Sequence, residues 1–159
     1  MKYRLLSKEQ FESLHKEFST FLATQGIDKE TWELAKDKSP KKVVSQLEKF
    51  SDIVWEDVLN KSEYLEHYSK DSLNLFYCKP KSVERIVIRI EKEGINLQGQ
   101  EGFDWFIDNS KDASIHYFRG EKPYTTTRNE ELFKLIEQGA LLANSNLFDA
   151  VKQLISPVK

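Results

Sequence analysis

The sequence predicts an α+β protein, and two observations support this fold class. In residues 82–91, SVERIVIRIE, apolar and polar side chains alternate, which is typical of a strand with one buried and one wet face. On both sides of this region, apolar residues recur at helical spacing. Because like elements are grouped, we expect N-terminal helices, a small antiparallel sheet of three to four strands, and C-terminal helices that share one core with the sheet.

The first two helices are predicted from their caps. Ser7 opens a capping box, S-x-x-Q, and the helix that follows is expected to end at Gly26. A second helix is predicted to begin at Asp28, because Ile27 and Trp32 have the spacing of a hydrophobic staple. Residues 36–38 are predicted to form a solvated turn.

A third helix is predicted to start at a cap followed by proline, Ser39 and Pro40, and to reach about residue 61. Ser51 and Asp52 favour caps over helix interiors, so a division into two helices at this point is the alternative.

The middle of the chain changes to strand-like patterns. Residues 63–68 and 73–78 are predicted to be short strands, and residues 82–91 form the third. Their short connections require antiparallel pairing. A fourth strand is expected at residues 114–119, followed by a turn at 120–123, and it can pair with either the first or the third strand.

The remaining segments complete the architecture. Residues 92–102 are glycine-rich and are predicted to be a flexible loop, followed by a short helix near 103–108. Residues 127–156 carry the C-terminal helices, which Pro157 is expected to end.

Length and composition indicate one domain over residues 1–159, with a helical part at 1–61 and a sheet part at 62–120. The net charge of −2 is spread evenly, so no basic arm favours nucleic acid. Cys78 is the single cysteine, which excludes an intrachain disulfide. With no signal-like or membrane-spanning apolar run, we expect a soluble cytoplasmic protein.

Three segments carry a resemblance to a known family. They read MKYRLLSKEQFESLHKEFSTFLATQGI, then FSDIVWEDVL with SEYLEH, then ELFKLIEQGALL with NLFDAVK. Together the set resembles a family of short bacterial proteins of unknown function, chiefly from the Bacteroidota. The resemblance covers most of the chain but not residues 92–112. It implies a stand-alone cytoplasmic protein and brings no activity, cofactor or catalytic residue.

The densest group of ligand-type side chains is His67 with Glu63 and Glu66, of which Glu63 and His67 share one face of the first predicted strand. A metal site there needs a third ligand, for which Glu56, Asp57 and His116 are candidates through tertiary contact. The alternative interpretation is an exposed sheet face with ordinary polar residues, and no metal-ligand spacing motif is present.

Cys78 is a candidate nucleophile in combination with His67 or His116. Free cysteine is among the most buried residue types, so an inert core thiol is the preferred interpretation.

Arg85 and Arg89 share the polar face of the third strand, and the sheet is rich in aromatic residues. This combination is found in proteins that bind single-stranded nucleic acid. Interleaved glutamates favour cross-strand ion pairs instead. Phe103 and Trp105 follow the glycine-rich loop and are further candidates for partner contact.

No convergent catalytic set is present, so we expect a non-enzymatic protein-interaction or regulatory module without a cofactor. Its partner would be another protein or a second copy of the chain. The alternatives are a small metal- or Cys/His-dependent enzyme and, after that, a single-stranded nucleic-acid binder.

Overall fold

A computed structural model describes residues 1–156, so Pro157 lies outside the described residues. The chain divides into two compact units, Met1–Asn60 and Lys61–Lys159. The helices are α1 (Lys8–Ser13), α2 (His15–Thr24), α3 (Lys29–Lys38), α4 (Pro40–Lys61), α5 (Gln100–Asp108), α6 (Arg128–Glu137) and α7 (Asn146–Ile155). The strands are β1 (Tyr64–Tyr68), β2 (Ser72–Cys78), β3 (Ser82–Ile90), β4 (Ile115–Pro123) and β5 (Leu141–Ala143).

The helix starts in the first unit lie where the caps predict them. The Ser7 side chain accepts the Gln10 N–H at 3.1 Å, and the Asp28 carboxylate accepts the Thr31 N–H at 2.8 Å. The single helix predicted as far as Gly26 is two helices, α1 and α2, interrupted at Leu14. The turn predicted at residues 36–38 is also wrong, because α3 continues to Lys38.

Helix α4 is continuous, which settles the alternative that Ser51 and Asp52 raised. Both side chains bind the N-terminal segment instead of capping a new helix. The Ser51 hydroxyl accepts the Leu6 N–H at 3.1 Å, and the Asp52 carboxylate accepts the N–H groups of Lys2 at 2.8 Å and Tyr3 at 2.9 Å. These polar residues are therefore inside a helix because they satisfy backbone donors of another segment.

An aromatic cluster fills the first unit. The Phe18 ring centroid lies 5.0 Å from Phe50 and 5.4 Å from Trp32, and Phe11 approaches Phe18 edge-on at 5.6 Å. Phe11 and Phe18 belong to the first predicted helix, whose apolar spacing places them on one side, and they remain in contact across the interruption at Leu14.

The second unit contains an antiparallel sheet with the strand order β4-β3-β2-β1-β5. The fourth strand therefore pairs with the third, with Ile86 opposite Arg119. The sheet has five strands in the described part of the chain and not three or four. Strand β5 was not predicted because it has three residues, and β4 continues through the turn predicted at residues 120–123.

One side of the sheet, which we call the core face, carries Ile86, Ile88 and Ile90 of β3 and forms the apolar core with α5 and α7. Phe148 of α7 packs on it, and so does Phe106 of α5. The alternation in residues 82–91 is thereby confirmed, as is the sharing of a core by the C-terminal helix and the sheet. That the N-terminal helices share this core stays a prediction, as does the single domain.

The glycine-rich segment before α5 is anchored rather than flexible. The Leu97 N–H donates to the Lys70 carbonyl at 2.8 Å, and the Leu97 side chain is buried. Helix α5 begins at Gln100 instead of near 103, and a Cβ at Gly102 would collide with the backbone of Asn96. Position 102 therefore requires glycine, because the two backbone segments approach each other closely.

Candidate binding site on the open sheet face

The opposite side of the sheet, which we call the groove face, carries Arg85, Val87 and Arg89 of β3. The register places Val87 between Asn74 of β2 and Phe118 of β4, so these three side chains form one row across the sheet. Phe118 is 56% exposed and Arg85 is exposed as well. The groove face is therefore open around Arg85 and Phe118, although Phe76 and Val83 on the same face are buried.

A groove of about 880 Å³ lies on this face, with α6 as one wall. The sheet side chains that line it come from four strands. They are His67, Asn74, Phe76, Val83, Arg85, Val87, Phe118 and Lys122. Helix α6 contributes Glu131, Lys134 and Leu135 to the wall, and its C-cap residue Gln138 lies beside them. The volume is in the range of ligand pockets, although the groove is open to solvent.

Helix α6 is fixed against the ends of β1 and β2 by Arg128. Its guanidinium donates to the carbonyl of Ser62 and, at 3.3 Å, to the carbonyl of Cys78. The Thr127 side chain caps the helix by accepting the Glu130 N–H at 3.3 Å. The Thr127 cap thus determines where the groove wall begins.

Arg85 is the cation at the centre of the groove. Its Nε donates to the side-chain oxygen of Asn74 at 3.0 Å, and its guanidinium lies 5.7 Å from the centroid of the Phe76 ring. Among residues 1–156, no carboxylate lies within ion-pair distance of it. A neutral amide therefore orients Arg85 and leaves its charge available to an anionic group.

The two carboxylates beside the groove are already bound. Glu131 accepts the Thr125 N–H at 3.0 Å, and Glu121 accepts from Lys79 at 3.0 Å and from Ser82 at 2.6 Å. Hydrogen bonds from Ser82 and Lys79 hold the pKa of Glu121 below its ordinary value. Burial works to raise the pKa of Glu131, but bonds from Thr125 bring it below the ordinary value. Both stay anionic near neutral pH.

The predicted metal ligands do not converge. His67 lies opposite Asn74 on β1, whereas His116 lies on β4, three strands away and about 14 Å by strand spacing. Glu63 is four residues from His67 along the chain, about 13 Å. His116 Nε2 lies 3.3 Å from a carboxylate oxygen of Glu91. Within residues 1–156, no group of three or more His, Cys, Asp or Glu side chains is arranged to hold a metal ion.

Cys78 is buried at the far end of the groove face, with 2% of its surface exposed. It lies four residues along β2 from Asn74, the neighbour of His67, which corresponds to about 13 Å. Burial raises the pKa of the Cys78 thiol to about 12, against the opposing charge of Arg128. This environment favours an inert thiol over a nucleophile.

The four residues predicted to contact a partner lie on different sides of the sheet. Arg85 and Arg89 are on the groove face. Phe103 packs on the core-face residue Tyr68, with the two ring centroids 6.2 Å apart. Trp105 packs against the same core, and Lys92 Nζ lies 4.8 Å from the centroid of its ring. The structure therefore brings the two arginines to one surface and leaves the two aromatic residues out of it.

The tyrosines of the sheet also lie on the core face. Tyr64 and Tyr77 stack with centroids 4.7 Å apart and contact Phe148 of α7. Tyr68 and Tyr117 pack against the same core. The basic side chains and most of the aromatic rings are thus on opposite faces, so the nucleic-acid hypothesis lacks a stacking platform beside its arginines.

The sequence does not single out Asn74, Lys122 or Lys134, and it marks Phe118 only as one of the aromatic residues that suggest a nucleic-acid-binding sheet face. Phe118 and Lys122 share a face only because β4 continues past Gly120, where the sequence predicts a turn. The alternation of Phe118, Gly120 and Lys122 is the sequence signal for this continued strand. Gly120 and Pro123 hide it, because both residue types are typical of turns.

Within residues 1–156, no helix combines the length and the apolar character that crossing a bilayer demands. The fold and the groove define a small α+β protein whose antiparallel sheet is covered on one face and partly open on the other. The chain belongs to a family of unknown function, DUF6495, whose model matches residues 1–156. This confirms the resemblance to such a family. No curated protein matches the chain, and no solved structure matches it either.

Proposed function

We propose that the protein is a non-catalytic interaction module that binds an extended, acidic segment of a protein partner in the groove. The observation that carries this proposal is the unpaired charge of Arg85 beside the exposed ring of Phe118, in a groove of about 880 Å³. An extended segment fits because the groove is open to solvent and is lined by side chains from four neighbouring strands.

The charge of the groove favours an acidic ligand. Lys122 and Lys134 are exposed on its two sides, and Arg85 lies between them. Glu121 is paired with Lys79, whereas Glu131 is hydrogen-bonded to the neutral Thr125 and keeps its charge. The cations Arg85, Lys122 and Lys134 still outnumber Glu131 in the groove, although the whole chain has a net charge of −2. Complementary potential of this kind steers a partner and fixes its register.

The apolar part of the groove favours a segment with alternating side chains. Val87 and Phe118 offer apolar surface in the same row as the polar Asn74. A single exposed ring suits one apolar anchor of a peptide, whereas a nucleic-acid platform stacks two or three bases. This supports a protein partner over single-stranded nucleic acid.

We also propose that the protein works in the cytoplasm. A single buried thiol is compatible with a reducing compartment, where structural disulfides are rare.

Fluorescence anisotropy with defined peptides tests the groove. The probes are labelled ten-residue peptides that alternate valine or phenylalanine with glutamate, their lysine counterparts, and an oligo-dT of similar length. We expect saturable binding of the glutamate peptides that weakens as salt rises, at least tenfold weaker binding to Arg85→Ala, and a loss of similar size for Phe118→Ala.

Arg89→Ala is the matched control, because Arg89 lies on the same face about 13 Å from Arg85 and outside the groove lining. It should bind within twofold of the unaltered protein. The proposal is overturned if lysine peptides bind as well as glutamate peptides, if oligo-dT binds more tightly than both, or if Arg89→Ala weakens binding as much as Arg85→Ala.

A further inference from the structure

The sheet has one long free edge. Among residues 1–156, β4 pairs with β3 alone and is nine residues long, whereas the opposite edge strand β5 has three residues. Short edge strands limit unwanted pairing, but a long one offers a row of backbone donors and acceptors to another strand. Strand addition to such an edge is a common mode of protein association.

The hydrogen-bond pattern shows which groups of β4 point outward. The Glu91 N–H donates to the Ser114 carbonyl at 2.8 Å, which identifies this opposed pair as hydrogen-bonded. Because bonded and non-bonded pairs alternate in an antiparallel ladder, the even-numbered residues of β4 bond to β3. The backbone groups of Tyr117, Arg119 and Glu121 therefore point away from the sheet.

We propose that a second copy of this chain docks on this edge, β4 against β4 in antiparallel orientation, with the two-fold axis at Gly120. In that register Arg119 of each copy lies opposite Glu121 of the other. Phe118 lies opposite Lys122 of the second copy, and the outward donors at 117, 119 and 121 all meet carbonyls. Pro123, which has no N–H, falls at the end of the paired segment.

Charge selects this register over its neighbours. If the axis moves by one residue to Arg119, two arginines lie opposite each other. If it moves to Glu121, two glutamates do. Like charges directly opposite one another destabilise a strand pair, whereas opposite charges stabilise it. The axis at Gly120 is therefore the one at which this strand complements itself, as an isologous interface requires.

The two charged side chains are already held in position at the edge. Arg119 donates through Nε and Nη2 to Glu84, at 2.9 and 2.7 Å, and Glu84 is 3% exposed. Lys79 and Ser82 hold Glu121. The side chains of Arg119 and Glu121 remain 40% and 44% exposed, so each has surface left for a second copy.

Gly120 makes the axis testable. A Cβ at this position would meet nothing within 4 Å, so a side chain fits there without disturbing the fold. In the proposed dimer the two Gly120 residues form a non-hydrogen-bonded pair, with Cα atoms about 4.5 Å apart. That separation is compatible with a disulfide.

The first experiment is oxidative cross-linking with copper phenanthroline in air. Gly120→Cys is expected to form a covalent dimer at least tenfold faster than Lys122→Cys, whose Cα atoms would be about 13 Å apart in the same dimer. Cys78 is buried and leaves the background low. Equal rates for the two variants, or no dimer with Gly120→Cys at concentrations where the unaltered protein self-associates, would overturn the register.

The second experiment is sedimentation equilibrium of the unaltered chain. We expect a reversible dimer, at least tenfold weaker in Glu121→Arg, which places arginine opposite arginine. Glu93→Arg makes the same charge change on an exposed residue away from the edge and should leave the dimer within twofold. A chain that stays monomeric at 200 µM, a loss equal in both variants, or a dimer that Glu121→Arg leaves unchanged contradicts the proposal. Phe118 and Lys122 line the groove and also lie at the proposed dimer edge, whereas Arg85 of β3 belongs to the groove alone. Arg85→Ala should therefore leave the dimer within twofold, so that either proposal can fail alone.

Discussion

The two faces of the sheet are built from the same strands, yet they differ in what covers them. On the core face, α5 and α7 bury Ile86, Ile88 and Ile90 almost completely. On the groove face, α6 leaves Arg85 and Phe118 exposed. Within β3, Ile86, Ile88 and Ile90 therefore support folding, whereas Arg85 and Arg89 present charge on the other face. The difference shows that the helices packed on each face, and not the β-propensity of the strands, determine which face is accessible to a partner.

The largest expected effect tests the core face. Ile88→Ala removes a fully buried side chain, and such changes cost roughly 2–5 kcal/mol of unfolding free energy. Val87→Ala, one residue away on the groove face, removes a partly exposed side chain and should cost less than half as much. Urea unfolding followed by circular dichroism measures both, and equal losses would mean that the groove face is packed like the core.

Alkaline pH is expected to have the next largest effect. Burial raises the pKa of Cys78 from 9.0 to about 12, so the folded protein keeps a proton that the unfolded chain loses. The unfolding free energy should therefore be unaffected below pH 9 and should fall by up to about 1.4 kcal/mol per pH unit between pH 9 and 12. Burial also raises the pKa of Tyr124 to about 12, which adds to the fall.

Cys78→Ala is the matched variant for this pH series. It should lose some packing energy at neutral pH but show a shallower decline above pH 9, because the thiol no longer titrates. Unfolding in urea at several pH values measures the two slopes. If the slopes coincide, Cys78 is not the buried acid that the groove face implies.

The sequence predicted the core face well because its signal is local. The alternation of Ile86, Ile88 and Ile90 fixes which side chains share a face within one strand, and the caps at Ser7 and Asp28 fix helix starts within four residues. The groove depends on pairing between distant segments. Phe118 joins Val87 only through the β3–β4 register, and Gly120 conceals that β4 continues. Such long-range registers have no signature in a single strand.

A smaller effect is expected at Gly139, where the segment after α6 passes His67. Gly139 has φ +107°, and a Cβ there would lie 3.3 Å from His67 Nε2. Gly139→Ala should cost roughly 1–2 kcal/mol for the backbone, with a further loss from the displaced ring. Gly94→Ala is the control, because Gly94 has φ +84° and open space around it, so that its loss of unfolding free energy comes from the backbone alone. Thermal unfolding should show a larger loss of stability for Gly139→Ala than for Gly94→Ala. Equal losses would mean that the contact with His67 contributes nothing.

The smallest effect is expected for Phe118→Ala. Removing a phenylalanine from a core costs several kcal/mol, but this ring is 56% exposed, and we expect the unfolding free energy to change by no more than about 0.5 kcal/mol. Urea unfolding checks this value. A near-zero change in stability together with a large loss of peptide binding would separate the two faces by function, because a residue retained only for packing cannot produce that combination. A loss of several kcal/mol would instead place Phe118 in a buried interface and remove the distinction between an open and a covered face.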